Sequence, residues 1–173
     1  MEKLRIVGEY HAVHKNVSGE VLGEYHAMNL VTDAGAKLLL DTILAGSAFN
    51  SNTFLGLKGA GSASVTDTQP SHAGWNEVGN ANAPTYSGSR KTLTSGWSSA
   101  SGSGGGARSK ALSAGQTFTF TGGGTVDGAF LNINGSSAVD NTTGTLFSAG
   151  TFSGGSKTVA NTDTLTVTYT LSI

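Results

Sequence analysis

The sequence predicts an all-β protein: an antiparallel two-sheet β-sandwich of jelly-roll type, with an N-terminal β-hairpin arm and one short α-helix. Three observations predict it. Apolar and hydroxyl side chains alternate through Thr117–Thr121 and Thr164–Ile173, which is the period of a half-buried strand. Twenty-six glycines in 173 residues divide the chain into short segments separated by turns. A 3.6-residue apolar period persists for more than a turn only around Leu38–Leu40. The length suits one domain, residues 29–173, with a helix at about 33–45, preceded by a hairpin arm over residues 1–28. A TIM barrel needs a longer chain, and a coiled coil needs far more than 12% charged residues.

The hairpin is read from a near repeat, Gly8-Glu9-Tyr10-His11-Ala12 and Gly23-Glu24-Tyr25-His26-Ala27, on either side of the polar stretch Lys15–Glu20. A four-residue loop at Asn16–Gly19 sets Lys15 against Glu20 and Tyr10 against Tyr25, and each Glu of the repeat against the other copy's His. Such a ribbon is marginal alone and needs a surface to lie on. In Asn29-Leu30-Val31-Thr32-Asp33-Ala34-Gly35, Thr32 or Asp33 caps a helix start. Ala34, Leu38, Leu39, Ile43 and Leu44 form its apolar stripe and Gly46 its stop. Strands follow at Thr53–Leu57, Trp75–Val78, Lys91–Trp97, Ala107–Leu112, Thr117–Thr121, Thr125–Ile133 with a glycine bulge, Thr145–Phe147, Lys157–Ala160 and Thr164–Ile173. Two low-complexity stretches, Gly59–Gln69 and Ser98–Gly106, read as flexible loops, since they lack the apolar area to offset the entropy of ordering.

Composition excludes several function classes. A formal net charge of −1 carries no electrostatic footprint for nucleic acid. Without cysteine there is neither a disulfide framework nor a thiolate zinc site. No apolar run approaches the ~20 residues of a membrane-spanning helix. Glu2, Lys3, Arg5 and Glu9 interrupt the apolar stretch of a secretory signal, so the expectation is a chain that is made in a cytoplasm and not exported by that route. The sequons at Asn16, Asn134 and Asn141 read as turns, not glycan acceptors.

No catalytic, cofactor-binding or metal-binding residue emerges, and no cofactor is implied. His11, His14 and His26 with Glu9 and Glu24 suggest a metal site, but polar ribbon faces carry such residues anyway and no fixed ligand spacing appears. His72 stands alone in the sequence. Asp127, Asp140 and Asp163 sit beside turn residues, as Asx turns require, rather than forming a carboxylate pair. No Gly-x-Ser-x-Gly elbow precedes an Asp and a His in a workable order. Gly102–Gly106 lacks the Lys-Ser or Lys-Thr pair and the helix of a phosphate loop. Trp75, Trp97 and Tyr86 suit either a sugar-stacking platform or the core, and burial is expected for at least one. The expectation is therefore a protein without enzymatic activity.

Several motifs occur together in order: the charged ribbon, Asn29–Gly35, Ser71-His72-Ala73-Gly74-Trp75-Asn76-Glu77, Tyr86-Ser87-Gly88-Ser89-Arg90-Lys91, Gly128-Ala129-Phe130-Leu131, Thr143–Gly150 and Asp163–Tyr169. Over most of its length the chain resembles a group of small tailed-bacteriophage structural proteins encoded among head and tail genes. The resemblance implies a virion protein made in the host bacterial cytoplasm, most like a jelly-roll capsid cement or decoration protein on the capsid exterior, with the major capsid protein as partner. It implies no catalytic residues. Residues 1–28 are then expected to contact the capsid or a sister subunit, and polar ribbons and strand edges favour a dimer or trimer. A tail, baseplate or fibre component and a carbohydrate-binding host-attachment module are the alternatives.

Overall fold

Alternating side chains become strands wherever turn residues bound them. A computed structural model describes residues 6–45, 52–93, 96–102 and 108–173. Two long strands, β1 (Val7–Lys15) and β2 (Val21–Val31), lead into α1 (Asp33–Leu44). Then come β3 (Thr53–Gly61), β4 (Trp75–Val78), β5 (Lys91–Thr92), β6 (Ser109–Ala111), β7 (Gln116–Thr119) and β8 (Gly124–Val126). The chain ends with β9 (Gly128–Ile133), β10 (Thr145–Thr151), β11 (Lys157–Val159) and β12 (Thr164–Ser172). Asp127 separates β8 from β9, where the sequence reading ran one strand through a bulge. Gly46, the expected helix stop, lies outside the described residues, as do parts of the expected strands 91–97 and 107–112.

The strands form an antiparallel β-sandwich. In one sheet β12 lies between β1 and the short strands β6 and β7, with β2 beyond β1; in the other the order is β4-β3-β9-β10, with β5 also on β3. β2 joins the two, because Gly23–Met28 pair with β1 whereas Asn29–Val31 pair with β10. β8 and β11 form a small separate ladder. The space between the sheets is filled by Tyr10, Ala12, Leu55, Leu57, Phe118, Phe120, Val126, Leu131, Leu165, Val167 and Tyr169, each at most 2% exposed. Burying a side chain of Leu or Phe size contributes about 1.5–3 kcal/mol. A second, smaller cluster of Trp75, Phe130, Leu146 and Ala149 packs with Ala63.

The hairpin forms, but its register differs from the one read in the sequence. Tyr10 faces Ala27, His11 faces His26, and Lys15 faces Val21. Two local devices cause the shift. Gly19, at φ 82°, closes a three-residue turn between Asn16 and Glu20, whose backbones are joined by an Asn16 N–H to Glu20 O bond of 3.0 Å. A bulge then adds a further residue between His14 and Lys15 and their partners. A shift of two leaves every side chain on its own face, so the expected Glu9–His26 and His11–Glu24 pairs survive as diagonals, at 2.7 and 3.5 Å. Nor does the hairpin reach away from the body: β1 pairs with β12 from Val7↔Ser172 to Lys15↔Thr164, and Tyr10 stacks at 4.8 Å on Tyr169 in the core.

α1 starts as expected, with the Thr32 hydroxyl accepting the Gly35 N–H at 3.0 Å. The same hydroxyl donates to Leu146 O at 2.5 Å, tying cap to sheet. A Cβ at Gly35 would overlap the Phe147 backbone, so glycine permits the helix to lie directly on β10. The expected apolar stripe is only half used. Ala34, Leu38 and Leu39 are partly covered, whereas Ile43 and Leu44 are 67% and 78% exposed; Leu40, off the stripe, is 55% exposed. The helix touches the sheet through its first turns and leaves its last turn uncovered.

The stretch Gly59–Gln69 is built, contrary to the flexible-loop expectation. Its first residues extend β3, and the buried Asp67 carboxylate accepts the Ser64 N–H and the Trp75 indole N–H, both at 2.9 Å. Ser98–Gly102 is likewise held beside β6 by Ser98 N–H to Ala111 O, 2.8 Å, and by a Ser101–Ser109 bridge. The remainder of that stretch, with most of the glycine run weighed as a phosphate loop, lies outside the described residues.

Candidate interaction surfaces

The outer face of the first sheet is a polar plain with an apolar border. On β1 it presents Glu9, His11, Val13 and Lys15; on β2 Leu22, Glu24, His26 and Met28; on β12 Thr164, Thr166, Thr168 and Thr170. His11 and His26 stack at 4.5 Å between ring centroids, each bonded to a diagonal glutamate. These pairs occupy the imidazole nitrogens nearest the carboxylates, and no group of three or more metal-ligating side chains converges among the described residues.

His14 behaves differently from its two neighbours. Pointing inward, it is 2% exposed, with Nε2 2.9 Å from Asp163 Oδ2 and Nδ1 3.3 Å from the Tyr25 hydroxyl. Burial raises the Asp163 carboxyl, but the Ala160 N–H and the hydrogen bond and attraction of His14 outweigh it, leaving the pKa below the ordinary value. This pair clamps the hairpin to the turn before β12.

Exposed apolar side chains are concentrated near the start of the chain. Of the nine large hydrophobic residues exposed among the described residues, seven lie between residues 17 and 44: Val17, Val21, Leu22, Met28, Leu40, Ile43 and Leu44. Val17 sits in the hairpin turn and is 75% exposed. The exposure of the helix end could not be read from its spacing.

The aromatic trio of the sequence reading is split. Tyr86 is 4% exposed and packs edge-on against Phe118, so it belongs to the core. Burial pushes the phenol of Tyr86 up, as it does that of Tyr169. Trp97 donates its indole N–H to Leu93 O at 2.8 Å and lines an apolar groove of about 340 Å³ with Leu39, Ile133, Phe147 and Leu171. Trp75, on β4, is 5% exposed and belongs to the smaller apolar cluster, stacked under His72 at 4.1 Å. Both line a cleft of about 410 Å³ whose other walls include Gln69, Asn76, Asn82, Asp140 and Asn141.

Beneath that cleft lies the most strongly bonded polar group in the fold. Arg90, 1% exposed, forks onto Glu77 with Nε to Oε1 at 2.8 Å and Nη2 to Oε2 at 2.7 Å. Its remaining donors reach Ser136 O and Asn141 O at 3.0 and 2.8 Å, and Glu77 Oε2 accepts the Asp140 N–H at 2.9 Å. Neither residue was singled out as a pair by the sequence reading; they stand 13 apart, and only the sheet brings them together. Buried Lys58 donates to Gly59 O at 3.0 Å and to Gly61 O, and its desolvation lowers its pKa. It is closed to solvent and serves as an internal tie.

The carboxylates weighed in the sequence are separated. Asp163 binds His14, Asp140 accepts the Ala81 N–H at 3.1 Å, and Asp127 lies near Lys58. The sequon asparagines do turn work: Asn16 Oδ1 accepts the Ser18 and Glu20 N–H groups, Asn141 Oδ1 accepts that of Thr143, and Asn134 has φ 60°. Fold and surfaces together define an all-β sandwich whose buried charged pairs, Arg90–Glu77 and His14–Asp163, are bonded into its framework and whose exposed apolar residues lie mostly on a hairpin and a helix end. No family model, curated protein or solved structure matches the chain.

Proposed function

We propose that this chain is a non-enzymatic virion protein of a tailed bacteriophage, a cement or decoration protein that binds the outside of the head and bridges major capsid protein subunits. The observation that carries the reading is that seven of the nine exposed large apolar side chains among the described residues fall within residues 17–44, on the hairpin and on the end of α1. A monomer in water gains nothing from exposing them, whereas a protein that docks on neighbours buries them. The hydroxyl-rich sheet face beside it supplies hydrogen-bonding groups at regular spacing. Repetition over a symmetric shell turns weak contacts per copy into firm attachment. Self-association as a dimer or trimer follows from the same uncovered surface.

The test follows from the fold. Removing residues 1–28 would delete β1 and the buried Tyr10, Ala12 and Ala27, and so unfold the body. Charged substitutions on the uncovered residues, Val17→Glu with Leu22→Glu, leave the core untouched. Purified particles carrying the wild-type protein are expected to hold hundreds of copies on the head by quantitative mass spectrometry and imaging, and the double variant is expected to be lost from them. A few copies on the tail would replace cement by a tail, baseplate or fibre role; absence from particles would end the virion reading.

A further inference from the structure

We propose that the cleft beside Trp75 is a saccharide-binding site that takes a neutral sugar ring against the partly exposed face of His72, whose other face is backed by the buried Trp75. This inference stands apart from the virion reading and rests on the cleft alone. A pyranose offers one apolar C–H face and a rim of hydroxyls, and the cleft offers the complement of both. His72 and Trp75 lie nearly parallel, 20° apart, and the imidazole is fixed by a 3.0 Å bond between Nδ1 and Trp75 O. Around this stack stand the side chains of Asn76, Asn82 and Asp140, which between them donate and accept.

The charge of the walls selects the ligand class. No lysine or arginine lines the cleft, so an anionic ligand finds no counter-charge there. Arg90 beneath it is matched by Glu77, whose two oxygens are both engaged. Gln69 adds an independent sign: it is 2% exposed, its Nε2 donates to Asn141 O at 3.2 Å, and its buried Oε1 has no partner within the protein. An unpaired buried acceptor is costly, and because Gln69 lines the cleft a small turn of its amide would present Oε1 to a ligand hydroxyl.

The cleft is also set before any ligand arrives. Arg90 holds one wall through Ser136 O and Asn141 O, and Asp67 holds the indole through Nε1. Binding then costs little ordering of loops, which suits a shallow site for a single sugar unit or the end of a chain.

The test is an NMR titration of the full-length, 15N-labelled protein with a panel of neutral sugars: maltose, cellobiose, lactose, chitobiose, mannobiose and L-rhamnose, with sodium sulfate as the anionic control. At least one sugar is expected to shift the Trp75 indole N–H together with the amides of His72, Asn76 and Asn141, while sulfate does not. His72→Ala, which removes a partly exposed ring, is expected to weaken that sugar about tenfold with the melting temperature little changed. Asn76→Ala, a second surface change, is expected to weaken it too, and Trp97→Phe to leave it unaltered. The proposal is overturned if no sugar in the panel shifts these signals at millimolar concentration, if sulfate shifts them and sugars do not, or if both cleft variants bind as tightly as wild type.

Discussion

Arg90 illustrates how a single side chain here governs more than its own strand. Its guanidinium lies 5.4 Å over the Phe130 ring while forking onto Glu77, so it joins the small apolar cluster to the loop at 136–141. Arg90→Leu leaves the Glu77 carboxylate buried without its partner. Such a change costs about 3–5 kcal/mol, to be read as a lower midpoint in urea unfolding, and Arg90→Lys restores little because an ammonium cannot reproduce the fork. Replacing both members, Arg90→Leu with Glu77→Leu, is expected to recover part of the loss. At Asp163 the folded carboxyl titrates below its ordinary value of 3.8. Its contribution is therefore complete above that pH and disappears as pH falls through the lower folded value, so the loss falls below about pH 4. Asp163→Asn is expected to flatten that acid limb of the stability–pH curve measured by chemical denaturation, and to loosen the hairpin at neutral pH. None of these partnerships was visible in the sequence. Composition names an Arg and a Glu, but 13 residues of separation and an intervening loop hide their meeting.

At the level of elements, what was legible depended on how local the signal was. Alternation located β4 at both ends, and β12 to within its last residue, because a strand's period is written in neighbouring side chains. The helix cap at Thr32 was equally local. It carries two bonds, one to Gly35 N–H and one to Leu146 O. Thr32→Ala should therefore lower stability by about 1–2 kcal/mol, detectable in thermal or urea unfolding, with exchange of the α1 amides increasing most. The hairpin shows where legibility ends. Its existence followed from the repeat, and its salt-bridge partners were named correctly, yet its register came out two residues away. Pattern cannot distinguish registers that differ by two, since both place the same residues on the same face. Gly19 and the bulge beside Lys15 decided between them.

For the molecule as a whole, the decisive feature is the mismatch between a dry core and an uncovered rim. The core draws on both ends of the chain, from Tyr10 to Tyr169, whereas Leu22, Met28, Ile43 and Leu44 remain in water. Charged substitutions at these four positions should change unfolding free energy by no more than about 0.5 kcal/mol each, because all four side chains are more than half exposed. On the proposed function, the same substitutions should abolish self-association in sedimentation experiments and occupancy on virus particles. A large loss of stability would show that these residues belong to the fold and not to a contact. The apolar stripe of α1 was read from the sequence as core; its far half became surface because Gly35 seats only the first turns on β10.

What the sequence by itself determined is the all-β class, most of the segments that become strand, and one helix with its start at Thr32 or Asp33, since each of these is encoded in the spacing of near neighbours. Tertiary structure alone decided the register of the hairpin, its incorporation beside β12, the passage of β2 from one sheet to the other, the Glu77–Arg90 fork and the cleft above it. The physical reason is that those features depend on contacts between residues far apart in the chain, such as Tyr10 with Ser148 and His14 with Asp163. Side-chain period records which way a residue points; it does not record what waits on the other side.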